Sequence, residues 1–145
     1  MRIVVQRCDK ASVKVDNKIV GSVNKGMMLL VGFTDTDTSK EIDYMVDKVI
    51  NLRIFDDENG VMNKSLLDTG GSILSVSQFT LYADASKGRR PSYVKALSGD
   101  KAIKLYEEFN KKIKDNNIHI ETGIFGAEMK VELINDGPVT ILLEK

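Results

Sequence analysis

Cysteine and histidine each occur once in this 145-residue chain, as Cys8 and His119. One cysteine excludes an intrachain disulfide and a cysteine-cluster metal site. As a nucleophile Cys8 would need a partner base, so an inert strand residue is the expectation. Any Ser-His or Cys-His hydrolytic pair would have to use His119, which falls in an ordinary strand pattern, Ile118-His119-Ile120. Excess charge is also lacking, because 21 Lys and Arg balance 21 Asp and Glu. Nucleic-acid binders with a large phosphate footprint carry a basic excess, so only a local basic patch could serve that role. No apolar run approaches the ~20 residues that span a bilayer, so no membrane partner is expected. The start, Met1 to Arg7, turns polar too soon for a signal peptide, which points to a cytoplasmic protein. A nucleophile elbow, a phosphate loop and a paired-glycine dinucleotide fingerprint are all missing. Protein-side acid–base chemistry is therefore poorly supplied.

What is present suits one domain over residues 1–145, with 42% hydrophobic and 29% charged residues. Strands are expected at Arg2 to Cys8, Ala11 to Asp16 and Ile19 to Asn24, with Asp16-Asn17 as a hairpin turn. Met27 to Phe33 is a continuous apolar run of the kind buried on both faces. Thr38-Ser39-Lys40-Glu41 has capping-box form and opens a helix over Ser39 to Leu52, with Ile42, Met45, Val46 and Val49 inward. Arg53-Ile54-Phe55 reads as a short strand. Ser98 can cap a second helix, Gly99 to Asp115, with Ala102, Leu105, Tyr106, Phe109 and Ile113 as its buried stripe. Met129 to Ile134 and Val139 to Leu143 read as strands joined by a turn at Asn135-Asp136-Gly137-Pro138. The fold class is mixed α/β: curved, mostly antiparallel sheets packed with two helices.

Two stretches invite chemistry. Ser75-Val76-Ser77-Gln78-Phe79-Thr80-Leu81 alternates like a half-buried strand, yet both of its faces mix polar and apolar groups. Buried hydroxyls and amides need partners, and these could be one another or a ligand. The second stretch is Asn135-Asp136-Gly137-Pro138-Val139-Thr140; on its own its Gly-Pro step reads as a hairpin turn, cis or trans. Between them, the loop from Ala83 to Ser92 carries Lys87, Arg89 and Arg90, which are either solvated or contacts to phosphate.

Taken together, Ser-Val-Ser-Gln-Phe-Thr at 75–80 and Asn-Asp-Gly-Pro-Val-Thr at 135–140 resemble the D-aminoacyl-tRNA deacylase family. The likeness extends to the Met-Arg-x-Val-x-Gln-Arg start, Gly-Arg-Arg-Pro-Ser at 88–92 and Phe-Gly-Ala-x-Met at 125–129. The resemblance implies a cytoplasmic homodimer that hydrolyses the ester of D-aminoacyl-tRNA, and of glycine mischarged on tRNA, with no metal or organic cofactor. It also assigns roles. Ser77, Gln78 and Phe79 would hold the ester and its oxyanion through their backbone, with Thr80 in support rather than as nucleophile. Gly137 and Pro138 would form a cis element reaching into the other subunit's pocket, braced by Arg7. Phe125, Gly126, Ala127 and Met129 would shape an adenine pocket. A non-catalytic tRNA- or nucleotide-binding module and a purely structural dimer are the competing readings.

Overall fold

The fold is built on its first strand. In the computed structural model, which describes residues 1–145, β1 covers Arg2–Val15. Its second half pairs antiparallel with β2, Lys18–Val23, and its first half with β3, Gly26–Gly32. Nearly its whole length also pairs with β8, Lys130–Glu144. The β1–β2 hairpin closes on Asp16 and Asn17, both at positive φ (48° and 63°), the conformation a tight two-residue hairpin needs. β3 then pairs in parallel with β6, Ser72–Ser77, and β6 in parallel with β7, Ile120–Thr122. The sheet curls until β2 approaches β7. A Cβ on Gly21 would stand 2.7 Å from the Thr122 carbonyl oxygen, so only glycine allows this approach.

Two helices cover one face. Thr38 caps α1, Ser39–Asn51, in a capping box with Glu41, which satisfies amides that the helix start leaves unbonded. Helix α1 buries Ile42, Met45, Val46, Val49 and Ile50. A one-turn helix α2, Leu66–Thr69, follows a two-strand hairpin of β4, Phe55–Asp56, and β5, Met62–Lys64. The long α3, Gly99–Asp115, buries Ala102, Tyr106, Phe109 and Ile113 against the same core as Ile3, Val5, Met27, Leu29 and Ile73. Each fully buried aliphatic or aromatic side chain of this set contributes roughly 1.5–3 kcal/mol.

Five elements depart from the sequence reading. Arg2 to Cys8 and Ala11 to Asp16 form one strand, whose pairing with β8 shifts register between Gln6 and Cys8 and again between Cys8 and Lys10. Asn135 to Pro138 is no hairpin turn: β8 continues through it beside β1. Cys8 faces Asn135 and Gln6 faces Thr140, so Asp136, Gly137, Pro138 and Val139 bulge out opposite Arg7 alone. The expected strand from Ser75 to Leu81 ends at Ser77, and Phe79–Tyr82 winds into a 3-10 turn. Gln78 N still donates to Val31 O at 2.8 Å, but β3 stops at Gly32 and offers nothing further to pair with. The short strands also slip, to Phe55–Asp56 from 53–55 and to Ile120–Thr122 from 118–120.

Candidate active site

Where β6 gives way to the 3-10 turn, the chain rims a cavity of about 590 Å³. Val31, Gly32 and Phe33 at the end of β3 form its floor with Val76, Ser77, Gln78 and Phe79. Tyr93, Ala96, Leu97, Gly99 and Ala102 line a second side. Phe125, Gly126, Ala127, Met129 and Val131 line a third. Gly126 sits at φ +78°, which holds the tight turn that Ala127 N closes on Ile124 O at 3.2 Å. Tyr93 is the only lining residue with an ionisable side chain.

The local structure explains the rim. Ser75 is fully buried, and its carbonyl accepts from Tyr106 Oη at 2.8 Å and from Gly123 N at 3.2 Å. Tyr106 also stacks at a tilt on Phe125, 5.8 Å between ring centres, and thus ties β6 to the 125–129 wall. Burial raises the Tyr106 phenol above its ordinary range, so it stays a donor at neutral pH. The Ser75 hydroxyl, in contrast, has no partner. The turn's bonding starts with Leu81 N to Gln78 O, so the Phe79 and Thr80 amides stand ahead of its first bond. Half of Phe79 is exposed, and its ring meets Tyr93 edge-on with 5.2 Å between centres, framing the mouth.

Seven of the residues singled out in the sequence line this cavity: Ser77, Gln78, Phe79, Phe125, Gly126, Ala127 and Met129. Thr80 lies just outside the lining, and its hydroxyl accepts a hydrogen bond from Gln78 Nε2. Lys87, Arg89 and Arg90 are exposed on a loop pinched at its base by paired Asp84–Ser92 backbone bonds of 2.8 and 2.9 Å, next to Tyr93. Sequence reasoning missed the β3 end and the Tyr93-to-Ala102 side. Their residues are ordinary apolar ones whose role comes only from where β3 stops.

Arg7, Gly137 and Pro138 form a second group. The Gly137-Pro138 bond is cis, and both residues are exposed. Neither lines the cavity of its own chain, and Gly137 stands six positions along β8 from Val131 at the rim, roughly 20 Å at strand rise. Arg7 is buried beneath them. Its Nη1 donates to Ile54 O at 2.7 Å and lies 3.4 Å from Asp56 Oδ1. Its Nε lies 2.9 Å from Asp136 Oδ2 as an ion pair, although that N–H is not aligned as a hydrogen bond. Asn135 Nδ2 spans the base of the bulge, donating to Arg7 O at 2.9 Å and Val139 O at 3.0 Å.

The remaining reactive groups stand apart. His119 is exposed beside Glu121, and Ile73, paired next to it, lies near the far end of β6 from Ser77. Burial pushes the Cys8 thiol up to about 11, aided by Asp9 and Asp136. No three His, Cys, Asp or Glu side chains gather where they could hold a metal ion.

Curled sheet, helical cover and an apolar cavity whose only ionisable lining group is the Tyr93 phenol define a small mixed α/β protein. The chain belongs to the D-Tyr-tRNA(Tyr) deacylase family, whose model matches residues 4–144. It is 58% identical over 144 residues to a D-aminoacyl-tRNA deacylase of Bacillus pumilus, covering 99% of this chain and 98% of that protein. It is 55% identical to the D-aminoacyl-tRNA deacylase of Listeria monocytogenes, covering 99% and 95%. Among solved structures, one described as c-Myc DNA Unwinding Element Binding Protein superposes with TM-score 0.94 at 40% identity, covering 100% of this chain and 99% of that one. A structure described as that of a probable eukaryotic D-amino acid tRNA deacylase shares the fold at TM-score 0.83 and 21% identity, covering 98% of this chain and 97% of that one.

Proposed function

We propose that this protein hydrolyses the ester of D-aminoacyl-tRNA, and of glycine mischarged on tRNA, in the cytoplasm as a homodimer. The observation that carries the reading is the cavity itself: the free amide of Phe79 at its rim, with that of Thr80 just outside the lining, apolar walls, and no acid or base beyond one phenol. An aminoacyl ester is already reactive, so catalysis needs mainly positioning and stabilisation of the developing oxyanion. The terminal ribose 2′-hydroxyl next to the ester supplies the proton chemistry that the protein lacks. Phe125, Gly126, Ala127 and Met129 receive the adenine, and the volume suits an aminoacyl-adenosine end.

Chirality is read by steric exclusion. Gly137-Pro138, too far along β8 to serve its own cavity, enters that of a second copy and clashes with an L side chain. Glycine has nothing to clash and is accepted. The free edge of the 15-residue β8, with Ile134 and Leu142 exposed, supports an association of copies. Lys87, Arg89 and Arg90, on the exposed loop that precedes Tyr93 in the chain, meet tRNA phosphates.

The test is deacylation of D-tyrosyl-tRNA beside L-tyrosyl-tRNA, with and without EDTA. Selective loss of the D-aminoacyl ester, unchanged by the chelator, is expected. Activity abolished by EDTA and restored by zinc overturns the cofactor-free mechanism. The likeness to a DNA-unwinding-element-binding protein favours a second reading, nucleic-acid binding without turnover; tight tRNA or DNA binding with no deacylation would establish it.

A further inference from the structure

We infer that Asp136 is a positioning residue: acting through Arg7, it sets the height of the Gly137-Pro138 wall and with it the discrimination between D- and L-aminoacyl esters. The inference rests on the function proposed above and adds a residue that the two motifs leave without a role. It starts from Arg7, a guanidinium whose side chain is only 8% exposed. A buried cation needs both charge and hydrogen-bond partners. The Ile54 carbonyl accepts a hydrogen bond from Nη1 at 2.7 Å, and Asp56 Oδ1 a longer one at 3.4 Å. Two carboxylates supply the charge, and Asp136 at 2.9 Å is the nearer; Asp56 stands at 3.4 Å.

The two partners differ in what they control. Ile54 and Asp56 belong to the chain entering the small β4–β5 hairpin, so they fix Arg7 to the body of the molecule. Asp136 is bonded directly to Gly137, so its carboxylate fixes the bulge to Arg7. The base of the bulge is held separately. The Asn135 amide joins Arg7 O to Val139 O, and Thr140 Oγ1 donates to Asn135 Oδ1 at 3.2 Å, fixing the amide's orientation. Asn135 therefore closes the neck of the bulge, and the Asp136–Arg7 pair settles how far its tip leans. Gly137 has little freedom against this support, since a Cβ there would lie 3.2 Å from Arg7 Nη2. Without the Asp136 charge, Arg7 keeps Ile54 and Asp56 and the core keeps its shape. The wall alone loses its lateral tie.

The experiment measures kcat/KM on D- and L-tyrosyl-tRNA, with melting temperatures, for wild type, Asp136→Asn, Asp136→Glu, Arg7→Met and the Arg7→Met/Asp136→Asn double variant. Asp136→Asn should lower the D-over-L preference about fivefold, as suits one half-exposed ion pair, and Asp136→Glu should recover part of it. In the Arg7→Met background Asp136→Asn should change the preference no further, because both act through one contact. Glu58→Gln, which removes an exposed carboxylate of the same hairpin that pairs with Lys64, should leave the preference as it is. A melting temperature lowered by Asp136→Asn with the preference intact would show mere charge balance and overturn the inference. Full additivity with Arg7→Met would overturn it too. If Arg7→Met fails to fold, the contrast between Asn and Glu at 136 decides alone. Wild-type protein that cleaves neither ester defeats the proposed function itself, an outcome separate from all of these.

Discussion

Thr80 shows how a single residue's surroundings limit its chemistry. A hydroxyl nucleophile needs a base to take its proton. Thr80 Oγ1 instead accepts a hydrogen bond from the Gln78 amide, a donor that cannot act as that base, and His119 sits elsewhere on the surface. Thr80→Ser should keep near wild-type deacylation, and Thr80→Ala should lose no more than about tenfold, the scale of one lost hydrogen bond. An acyl-enzyme ester on Thr80, caught by mass spectrometry of a quenched reaction, would falsify the supporting role. Cys8 gives a second residue-scale expectation. Burial raises its folded pKa from 9.0 to about 11, so the unfolded chain ionises first as pH rises. The stabilisation is complete below pH 9 and is lost on the way to 11. Wild type should therefore lose about 2 kcal/mol more unfolding free energy across that interval than Cys8→Ala does. Parallel urea-denaturation profiles for the two proteins would contradict this. Below pH 8 the thiol should resist alkylation.

Elements were legible in the sequence where a local rule fixed them. The capping box at Thr38 and Glu41, the apolar spacing of α1 and α3, and the Asp16-Asn17 turn are all local, and all are present. The errors share a cause. Whether Asn135 to Pro138 turns or bulges depends on β1 passing alongside, and whether Ser75 to Leu81 stays extended depends on where β3 ends. Pairing partners lie tens of residues away, so alternation alone cannot reveal them. Of the site, the Ser77–Phe79 rim and the 125–129 wall were legible through their motifs, whereas Tyr93 and Leu97 carry no pattern of their own. The loop pinched between Asp84 and Ser92 yields an element-scale prediction. Its cations project freely, unlike Lys112, which is tied to Asp43 and Glu108. Reversing Arg89 and Arg90 together should weaken tRNA binding and reduce the slope of log affinity against log salt by about two, one per lost phosphate contact. An unaltered slope would mean that the loop is merely solvated.

At the scale of the whole molecule, the Gly137-Pro138 bulge and the cavity are both present in one chain, and neither bulge residue lines that cavity. Roughly 20 Å of β8 separates Gly137 from the rim at Val131, and β8 is held along β1 on both sides of the bulge. Under the proposed function a complete site takes two copies, each lending a wall and receiving one. This arrangement predicts complementation between two crippled chains. Gly137→Ala spoils the wall: φ is +116° there, and the new Cβ would stand 2.8 Å from Val139 Cγ2 and 3.0 Å from its amide. Ser77→Trp fills the cavity and leaves β8 untouched. Each homodimer should be nearly inactive on D-tyrosyl-tRNA. Refolded together in equal amounts, half of the dimers are mixed, and each mixed dimer contains one intact cavity facing one intact wall. Activity should return to about a quarter of wild type by this statistical count, because only one site in four is whole. An affinity tag on one variant, with co-purification of the untagged other, checks that mixed dimers form. No recovery despite their formation would place the wall's action within a single chain, against the spacing along β8.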